Sequence, residues 1–339
     1  MTIKDLAKKS GYSLGTVSRV LNGHPNVSEK ARAAVMAVVK EQGFELNSNA
    51  KNLKQSQSNS ILVVVKGRGN ELFASMVEQY QQIFAQYPHP LIIDYIDELD
   101  DEVRRAAVLC REKKPLGILF LGGSDRNFRE EFASISVPAV LVTNSAEQLG
   151  FGNLSSVATD DQKGAASAVD YLLRAGHRDI LVLGGDRVLS DTSRWRYDGC
   201  VEAFARHDCA FEESHYFTCR FSCRSGYETM KRALDEGVAC SAVFAMADVI
   251  AIGAIRAIRD HGLRVPEDLS VIGYDGLQIG DYLIPKLSTV AQPVETMARR
   301  SAAILLSHIR EPGPAKHITV PFALAFKEST AMRPFFVER

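Results

Sequence analysis

The residues that could carry out chemistry in this 339-residue chain form short and incomplete sets. Gly67-Arg-Gly-Asn-Glu-Leu72 follows an apolar run, as a dinucleotide-binding loop does, but it lacks the third glycine. His215, Cys219 and Cys223 form an H-x3-C-x3-C run without a fourth ligand at a spacing that zinc sites use. The chain contains no HExxH or Walker motif. We therefore predict a protein that binds ligands and is not an enzyme, with no catalytic residue, metal site or cofactor.

The elements that must position any binding residues begin with a helix-turn-helix pattern at residues 1–45. Three apolar stripes at helical spacing are separated by Gly11, where a left-handed helix cap is expected, and by the capping residues Ser13 and Ser28. The stripes are Ile3, Leu6 and Ala7; Val17, Val20 and Leu21; and Ala31, Ala34, Val35 and Val38. The pattern predicts an all-α headpiece that binds DNA, although periodicity alone also fits a generic three-helix bundle.

Charge favours DNA binding for this segment. Residues 1–60 contain nine Lys and Arg against four Asp and Glu, for a net charge of +5, whereas the whole chain carries −1. A small basic unit joined to a larger acidic body is typical of a phosphate-binding module attached to a ligand-binding protein. On the second helix, Arg19 is best suited to a bidentate contact with guanine. The polar groups of Thr16, Ser18 and Asn22 suit phosphate contacts.

Motifs spread along the whole chain resemble the lactose-repressor/galactose-repressor (LacI/GalR) family of bacterial transcription regulators. Thr16-Val-Ser-Arg-Val-Leu-Asn22 carries the likeness in the headpiece, and Val265-Pro-Glu-Asp-Leu-Ser-Val-Ile-Gly-Tyr-Asp275 carries it in the body. The resemblance implies that Leu14 and Gly15 occupy base-reading positions, and we also expect Thr2 to contact DNA. It further implies a homodimer, a pseudopalindromic operator as partner and a small effector, a sugar or sugar phosphate.

Residues 46–60 form a polar linker, which would be flexible by default. Asn47 can cap a two-turn helix that contains Ala50, Lys51 and Leu53, but a helix of that length is marginal in water. The resemblance implies that two such hinge helices pair in the minor groove of the operator. Leu53 would then act as a wedge between base pairs, and Ala50 would permit close approach.

From residue 61 to residue 339, apolar runs alternate with amphipathic stretches, which predicts parallel sheets with helical crossovers. The predicted strands are 61–65, 91–95, 117–121, 139–142, 180–183, 242–245 and 270–272; the predicted helices are 72–86, 100–113, 162–175, 194–207, 225–236, 248–261 and 293–309. Two similar blocks predict an α/β body of two doubly wound lobes, like that of periplasmic binding proteins, with ligands bound at the carboxyl ends of the strands. The resemblance implies three crossings between the lobes. Lobe 1 would comprise about 61–158 and 288–317, and lobe 2 about 159–287 and 318–339.

The resemblance assigns effector contacts to strand ends and loops in the cleft. Arg194 stands where the family uses an arginine to hold effector hydroxyls or carboxylate, and Asp275 stands where it uses a carboxylate. Phe221 stands where an aromatic ring faces the ligand. The alternatives are a core position for Phe73 and a surface helix start for Arg194. The full expected set is Phe73, Ser124, Asp160, Arg194, Phe221 and Asp275.

Composition bounds the remaining possibilities. With 46% apolar and 24% charged residues, the chain is typical of soluble globular proteins. Its polar start lacks the features of a signal peptide, and its six cysteines contain no CxxC pair, which favours a reducing cytoplasm. We therefore expect a cytoplasmic repressor of carbohydrate-utilisation genes. The alternative, a carbohydrate-binding transport protein, would share the two-lobed body but would need a signal peptide.

Overall fold

The computed structural model describes residues 3–21, 27–42 and 58–333, which fall into two compact units. Residues up to 42 belong to the first unit, and residues from 58 onward belong to the second. Within these three ranges no helix is long and apolar enough to cross a membrane. Six of the predicted DNA contacts lie outside the described residues: Thr2, Asn22, Asn47, Ala50, Lys51 and Leu53.

Among the described residues of the first unit, three helices follow in the order that the sequence predicts: α1 Ile3–Ser10, α2 Leu14–Leu21 and α3 Glu29–Glu41. Gly11 follows α1 with a φ of +72°, the left-handed conformation expected of it. The Ser13 hydroxyl accepts from the amide of Thr16 at 3.2 Å, and the Ser28 hydroxyl accepts from the amide of Ala31 at 3.3 Å. Both predicted caps are therefore present. The buried core of this unit includes Leu6, Val17, Val20 and Val35.

The segment Gly11-Tyr-Ser-Leu-Gly15 has the spacing of a GxSxG nucleophile motif. In hydrolases that motif forms a strand-to-helix turn that exposes the serine hydroxyl. Here it joins two helices, and the Ser13 hydroxyl also lies 3.0 Å from Thr16 Oγ1. Ser13 is therefore a helix cap in a setting unlike that of a nucleophile.

Within residues 58–333 the second unit contains twelve strands, eight α-helices and four short 3₁₀ helices. In chain order the strands are β1 Ile61–Lys66, β2 Leu91–Ile96, β3 Gly117–Leu121, β4 Ala139–Val142, β5 Leu154–Ala158, β6 Ile180–Gly184, β7 Tyr216–Thr218, β8 Ala242–Ala245, β9 Ser270–Asp275, β10 Ser288–Ala291, β11 His317–Thr319 and β12 Ala323–Ala325. The helices are α4 Glu71–Phe84, α5 Glu102–Lys113, α6 Asp125–Glu131, α7 Asp161–Arg174, α8 Asp191–Arg206, α9 Cys223–Asp235, α10 Asp248–Asp260 and α11 Val294–Arg310.

The strands form two six-stranded sheets, each the centre of one lobe. The order is β11-β5-β4-β3-β1-β2 in the first lobe and β12-β10-β9-β8-β6-β7 in the second. All pairs are parallel except β10 with β12. The central strands are buried along their whole length because helices cover both faces of each sheet. The prediction of two doubly wound lobes is therefore confirmed.

The boundary between the lobes differs from the one we expected. Residues 288–291, expected in lobe 1, form β10 beside β9 in the second sheet, with Thr289 opposite Gly273. The chain crosses to the first lobe only afterwards, where α11 packs against α4 and the Tyr80 hydroxyl lies 2.6 Å from Ser301 Oγ. At the other boundary, residues 318–319 belong to β11 in the first sheet. Both differences arise because each short strand joins a sheet before the chain leaves that lobe. β10 lies between β9 and β12 in the second sheet, and β11 forms the edge of the first sheet beside β5.

Candidate ligand-binding cleft

A cavity of about 670 Å³ lies between the two lobes of the second unit. Its wall consists largely of loops that follow the carboxyl ends of strands, among them β1, β3 and β4 in the first lobe and β6, β7 and β9 in the second. Parallel strands end at the same edge of a sheet, so the two edges face each other across the cleft. The volume is typical of sites for small molecules.

Both expected aromatic residues line this cavity, Phe73 from the first lobe and Phe221 from the second. Each ring lies against a glycine at the end of a strand. A Cβ atom at Gly122 would lie 3.0 Å from Phe73 Cζ, and one at Gly185 would lie 2.8 Å from Phe221 Cε2. Because glycine has no side chain, Gly122 and Gly185 leave room for the two rings at the cavity wall. Phe73 is only 6% exposed, so most of its surface also belongs to the core.

Asp275, also expected at this site, lines the cavity at the end of β9. Its φ of +127° is rare for residues other than glycine and marks a strained turn. Asp248 holds this turn, because its carboxylate accepts from the amides of Gly276 at 2.8 Å and Leu277 at 2.7 Å. Gln292 Nε2 donates to Asp275 Oδ1 at 2.9 Å. These bonds stabilise a turn that keeps the Asp275 carboxyl group at the cavity wall.

Burial raises the pKa of Asp275 to about 8. Arg196 opposes this rise and the carboxylate of Asp248 adds to it, and the value of about 8 includes both effects. At neutral pH the carboxyl group is therefore largely protonated, and it can both donate and accept a hydrogen bond.

Arg196, and not the expected Arg194, is the arginine of α8 that lines the cavity. Arg194 lies on the exposed face of α8, where it pairs with Asp191 at 2.7 Å. Arg196 is buried; its Nε donates to Asp161 Oδ1 at 2.8 Å, and its guanidinium lies 3.6 Å from the centre of the Tyr274 ring. Residues two apart on a helix point in nearly opposite directions, which explains why only one of the two arginines reaches the cavity.

Gly199 is the sequence signal that could have identified Arg196. A Cβ atom at Gly199 would lie 2.2 Å from the Gln162 carbonyl oxygen, so α8 turns this face towards α7. Arg196 precedes Gly199 by three residues and therefore lies on the same face of the helix.

Ser124 and Asp160, expected at the site, lie outside the cavity wall. Ser124 is buried at the start of α6, and its amide donates to Glu102 Oε1 at 2.7 Å. Asp160 caps α7 by accepting from the Lys163 amide at 3.0 Å. Both residues stand directly before a helix, but only Asp160 caps its helix with its side chain.

Sequence reasoning missed the polar contacts that join the two lobes. Arg220 Nη2 of the second lobe lies 2.6 Å from Asp97 Oδ1 of the first, and Arg220 Nε lies 2.6 Å from Glu98 Oε1. At another point, the amide of Asp125 in the first lobe donates to Asp191 Oδ2 of the second at 2.7 Å. These partners are far apart in the chain, so their spacing carries no signal.

In the first unit, α2 presents the expected DNA contacts that the structure describes. Leu14, Gly15 and Arg19 are exposed, and Thr16 and Ser18 are half-buried. Arg19 Nε donates to the carbonyl oxygen of Gly15 at 3.2 Å. The Arg19 side chain therefore lies along the helix over Gly15, which has no side chain of its own.

Comparison with known proteins identifies a family match within each of the two units. Residues 2–47 match the bacterial regulatory proteins of the lacI family, and residues 169–330 match a periplasmic binding protein-like domain. The HTH-type transcriptional regulator MalR of Clostridium butyricum is 33% identical over 332 residues, which cover 97% of this chain and 99% of that protein. The chain belongs to the lacI family of bacterial regulatory proteins. As a lacI-family protein it is a DNA-binding transcription regulator, which confirms the function predicted from the headpiece.

Two solved structures are also similar to this lacI-family chain over nearly its whole length. The lac repressor dimer bound to operator and the anti-inducer ONPF is 25% identical, with a TM-score of 0.76, and the alignment covers 98% of this chain and 99% of that one. The complex of the transcriptional regulator CelR with cellobiose is 26% identical, with a TM-score of 0.69 and coverage of 97% and 99%.

Proposed function

We propose that this regulator represses carbohydrate-utilisation genes in the cytoplasm, binds a pseudopalindromic operator as a homodimer and responds to a neutral sugar bound in the cleft. It catalyses no reaction in this role. The observation that carries the proposal is the composition of the cavity, where two aromatic rings and several hydrogen-bonding groups, Asp275 and Arg196 among them, surround one space.

This combination of groups suits the chemistry of sugars. A sugar ring has apolar C–H faces, which pack against aromatic rings such as those of Phe73 and Phe221. Its hydroxyl groups each donate and accept hydrogen bonds. A protonated Asp275 can satisfy either role, and the guanidinium of Arg196 supplies additional donors.

The charges at the cavity favour a neutral sugar over a sugar phosphate. Lys66 pairs with Glu102, Arg196 with Asp161, and Arg220 with both Asp97 and Glu98. A cation that is already paired with a carboxylate binds a phosphate less tightly, because the phosphate would have to displace that carboxylate. The exposed Arg68 is the remaining cationic side chain in the cavity wall. The similarity to the CelR–cellobiose complex also supports a neutral sugar.

Regulation follows if the sugar binds one arrangement of the lobes more tightly than another. The sugar then shifts the population towards that arrangement, and the coupling to operator affinity equals its differential binding free energy.

Thermal denaturation of the full chain in the presence of candidate effectors tests this proposal. The panel contains maltose, cellobiose, glucose, glucose 6-phosphate and galacturonate. We expect a neutral sugar to raise the melting temperature, because a ligand of the native state stabilises it. Asp275→Ala should abolish the shift, and the matched control Asp160→Ala, outside the cavity, should retain it. Stabilisation by the charged sugars alone, or an equal shift in both variants, would refute the proposed effector site.

A further inference from the structure

Three charged side chains bridge the lobes where the cavity opens to solvent. Arg220 Nη2 lies 2.6 Å from both carboxylate oxygens of Asp97, and Arg220 Nε lies 2.6 Å from Glu98 Oε1. The Phe221 amide also donates to Glu98 Oε2 at 3.3 Å. All three charged residues line the cavity, and their side chains are 54%, 43% and 22% exposed for Arg220, Asp97 and Glu98 respectively. Partial exposure at the cavity wall places this cluster at its mouth.

The cluster is charged under physiological conditions. The hydrogen bonds that Arg220 donates to Asp97 lower the pKa of Asp97. The hydrogen bonds with Asp97 and Glu98 raise the pKa of Arg220. A single exposed ion pair stabilises a protein little, but here one guanidinium contacts two carboxylates from the opposite lobe. Such contacts favour the closed arrangement of the lobes by the free energy that they contribute in it and lose in the open one.

We propose that Arg220, Asp97 and Glu98 form a latch that holds the cleft closed at its mouth and thereby limits the size and the exchange rate of the effector. The limit on effectors rests on the proposed function, whereas the closure of the lobes does not. With the latch formed, a ligand must fit within about 670 Å³. A longer saccharide would keep the latch open. Salt should weaken the latch, because its charges are partly exposed to solvent.

A second contact between the lobes provides an independent reporter of opening. The amide of Asp125 donates to Asp191 Oδ2, and neither residue contacts the latch through any bond that the structure describes. If the latch holds the lobes together, its loss must also expose this amide. If the latch only orders its own loop, the Asp125 amide stays protected.

Hydrogen exchange of the full chain, without ligand or DNA, tests the proposal. We expect Arg220→Gln to accelerate exchange at the amides of Phe221 and Asp125 by about 3- to 10-fold. About 1 M NaCl should accelerate exchange of the parent at both amides in the same way. The matched control is Arg224→Gln, which breaks an exposed pair with Glu228 at 2.8 Å within α9 and should leave both rates unchanged.

Charge reversal makes the test independent of any general loosening. Arg220→Glu should open the lobes further, and adding Glu98→Arg should restore protection of the Asp125 amide. Acceleration at Phe221 alone, equal acceleration in the Arg224→Gln control, or failure of the double variant to restore protection would each overturn the latch. Because no effector is present, these outcomes are independent of whether the cleft binds a sugar. Melting followed by Trp195 fluorescence verifies that each variant is folded.

Discussion

Arg196 and Asp161 form a buried ion pair between two helices of the second lobe. Nε and Nη2 of Arg196 both lie 2.8 Å from Asp161 Oδ1, and the two side chains are 4% and 2% exposed. Gly199 allows α8 to approach α7 closely enough for this contact. The pair therefore fixes the guanidinium at the wall of the cavity, where the proposed effector binds.

Breaking this pair should destabilise the second lobe. Arg196→Met leaves the Asp161 carboxylate buried without its partner, and we expect the free energy of unfolding to fall by about 3–5 kcal/mol. The matched control, Arg194→Met, removes an exposed pair and should cost less than about 1 kcal/mol. Urea denaturation followed by the fluorescence of Trp195, the single tryptophan, measures both values. Similar losses in the two variants would contradict the buried ion pair.

The raised pKa of Asp275 should make the body less stable as pH rises from about 4 to about 8. In this range the unfolded chain loses the Asp275 proton while the native protein keeps it, since burial raises the native pKa to about 8. The contribution of Asp275 to stability is therefore greatest below its pKa in the unfolded chain, and it falls until the pH exceeds the pKa of Asp275 in the native protein. The slope from this group reaches at most about 1.4 kcal/mol per pH unit. Asp248, with a pKa raised to about 6 by burial, contributes in the same direction.

Asp275→Asn should remove this contribution, because the amide imitates the neutral carboxyl group at every pH. The measurement is the free energy of unfolding of the full chain at several pH values, followed by Trp195 fluorescence. A variant whose stability falls between pH 5 and 8 as steeply as that of the parent would show that Asp275 is ionised in the native protein.

Arg19→Ala should change base preference at one position of each operator half-site. If Arg19 makes a bidentate contact with guanine, its loss should reduce discrimination there by about 1–3 kcal/mol. Selection of binding sequences from a random library measures this preference for the parent and the variant. Lys30→Ala, an exposed charge on α3, serves as a control that should leave base preference intact. A uniform loss of affinity across all sequences would instead make Arg19 a phosphate contact.

Much of the fold could be predicted because helix caps and apolar runs are local signals. Ser13 and Ser28 mark the starts of their helices, and the predicted strands at 117–121 and 242–245 coincide with β3 and β8. The strands β5, β7, β10, β11 and β12 were not predicted. None of them contains four consecutive apolar residues within its bounds, whereas β4 and β8 consist of four each. The five strands are ordered by the sheets that they join.

The site was harder to predict because its geometry depends on contacts between distant elements. Asp275 was expected at the site from the family resemblance, and it lines the cavity at the end of β9. The same resemblance pointed to Arg194, whereas the position of Arg196 depends on the packing of α8 on α7. The contacts of Arg220 with Asp97 and Glu98 depend on how the lobes face each other, which no local pattern records.

The central claim is that a sugar in the cleft controls operator binding by the headpiece. The most direct measurement is the affinity of the full chain for its selected operator, with and without the sugar that raises its melting temperature. We expect operator binding at least about 10³-fold tighter than non-specific binding, and a change of about 5-fold or more on adding the sugar. Asp275→Ala should retain operator binding and lose the response to sugar. An operator affinity that the sugar leaves unchanged in the parent protein, or a full response in Asp275→Ala, would contradict the account.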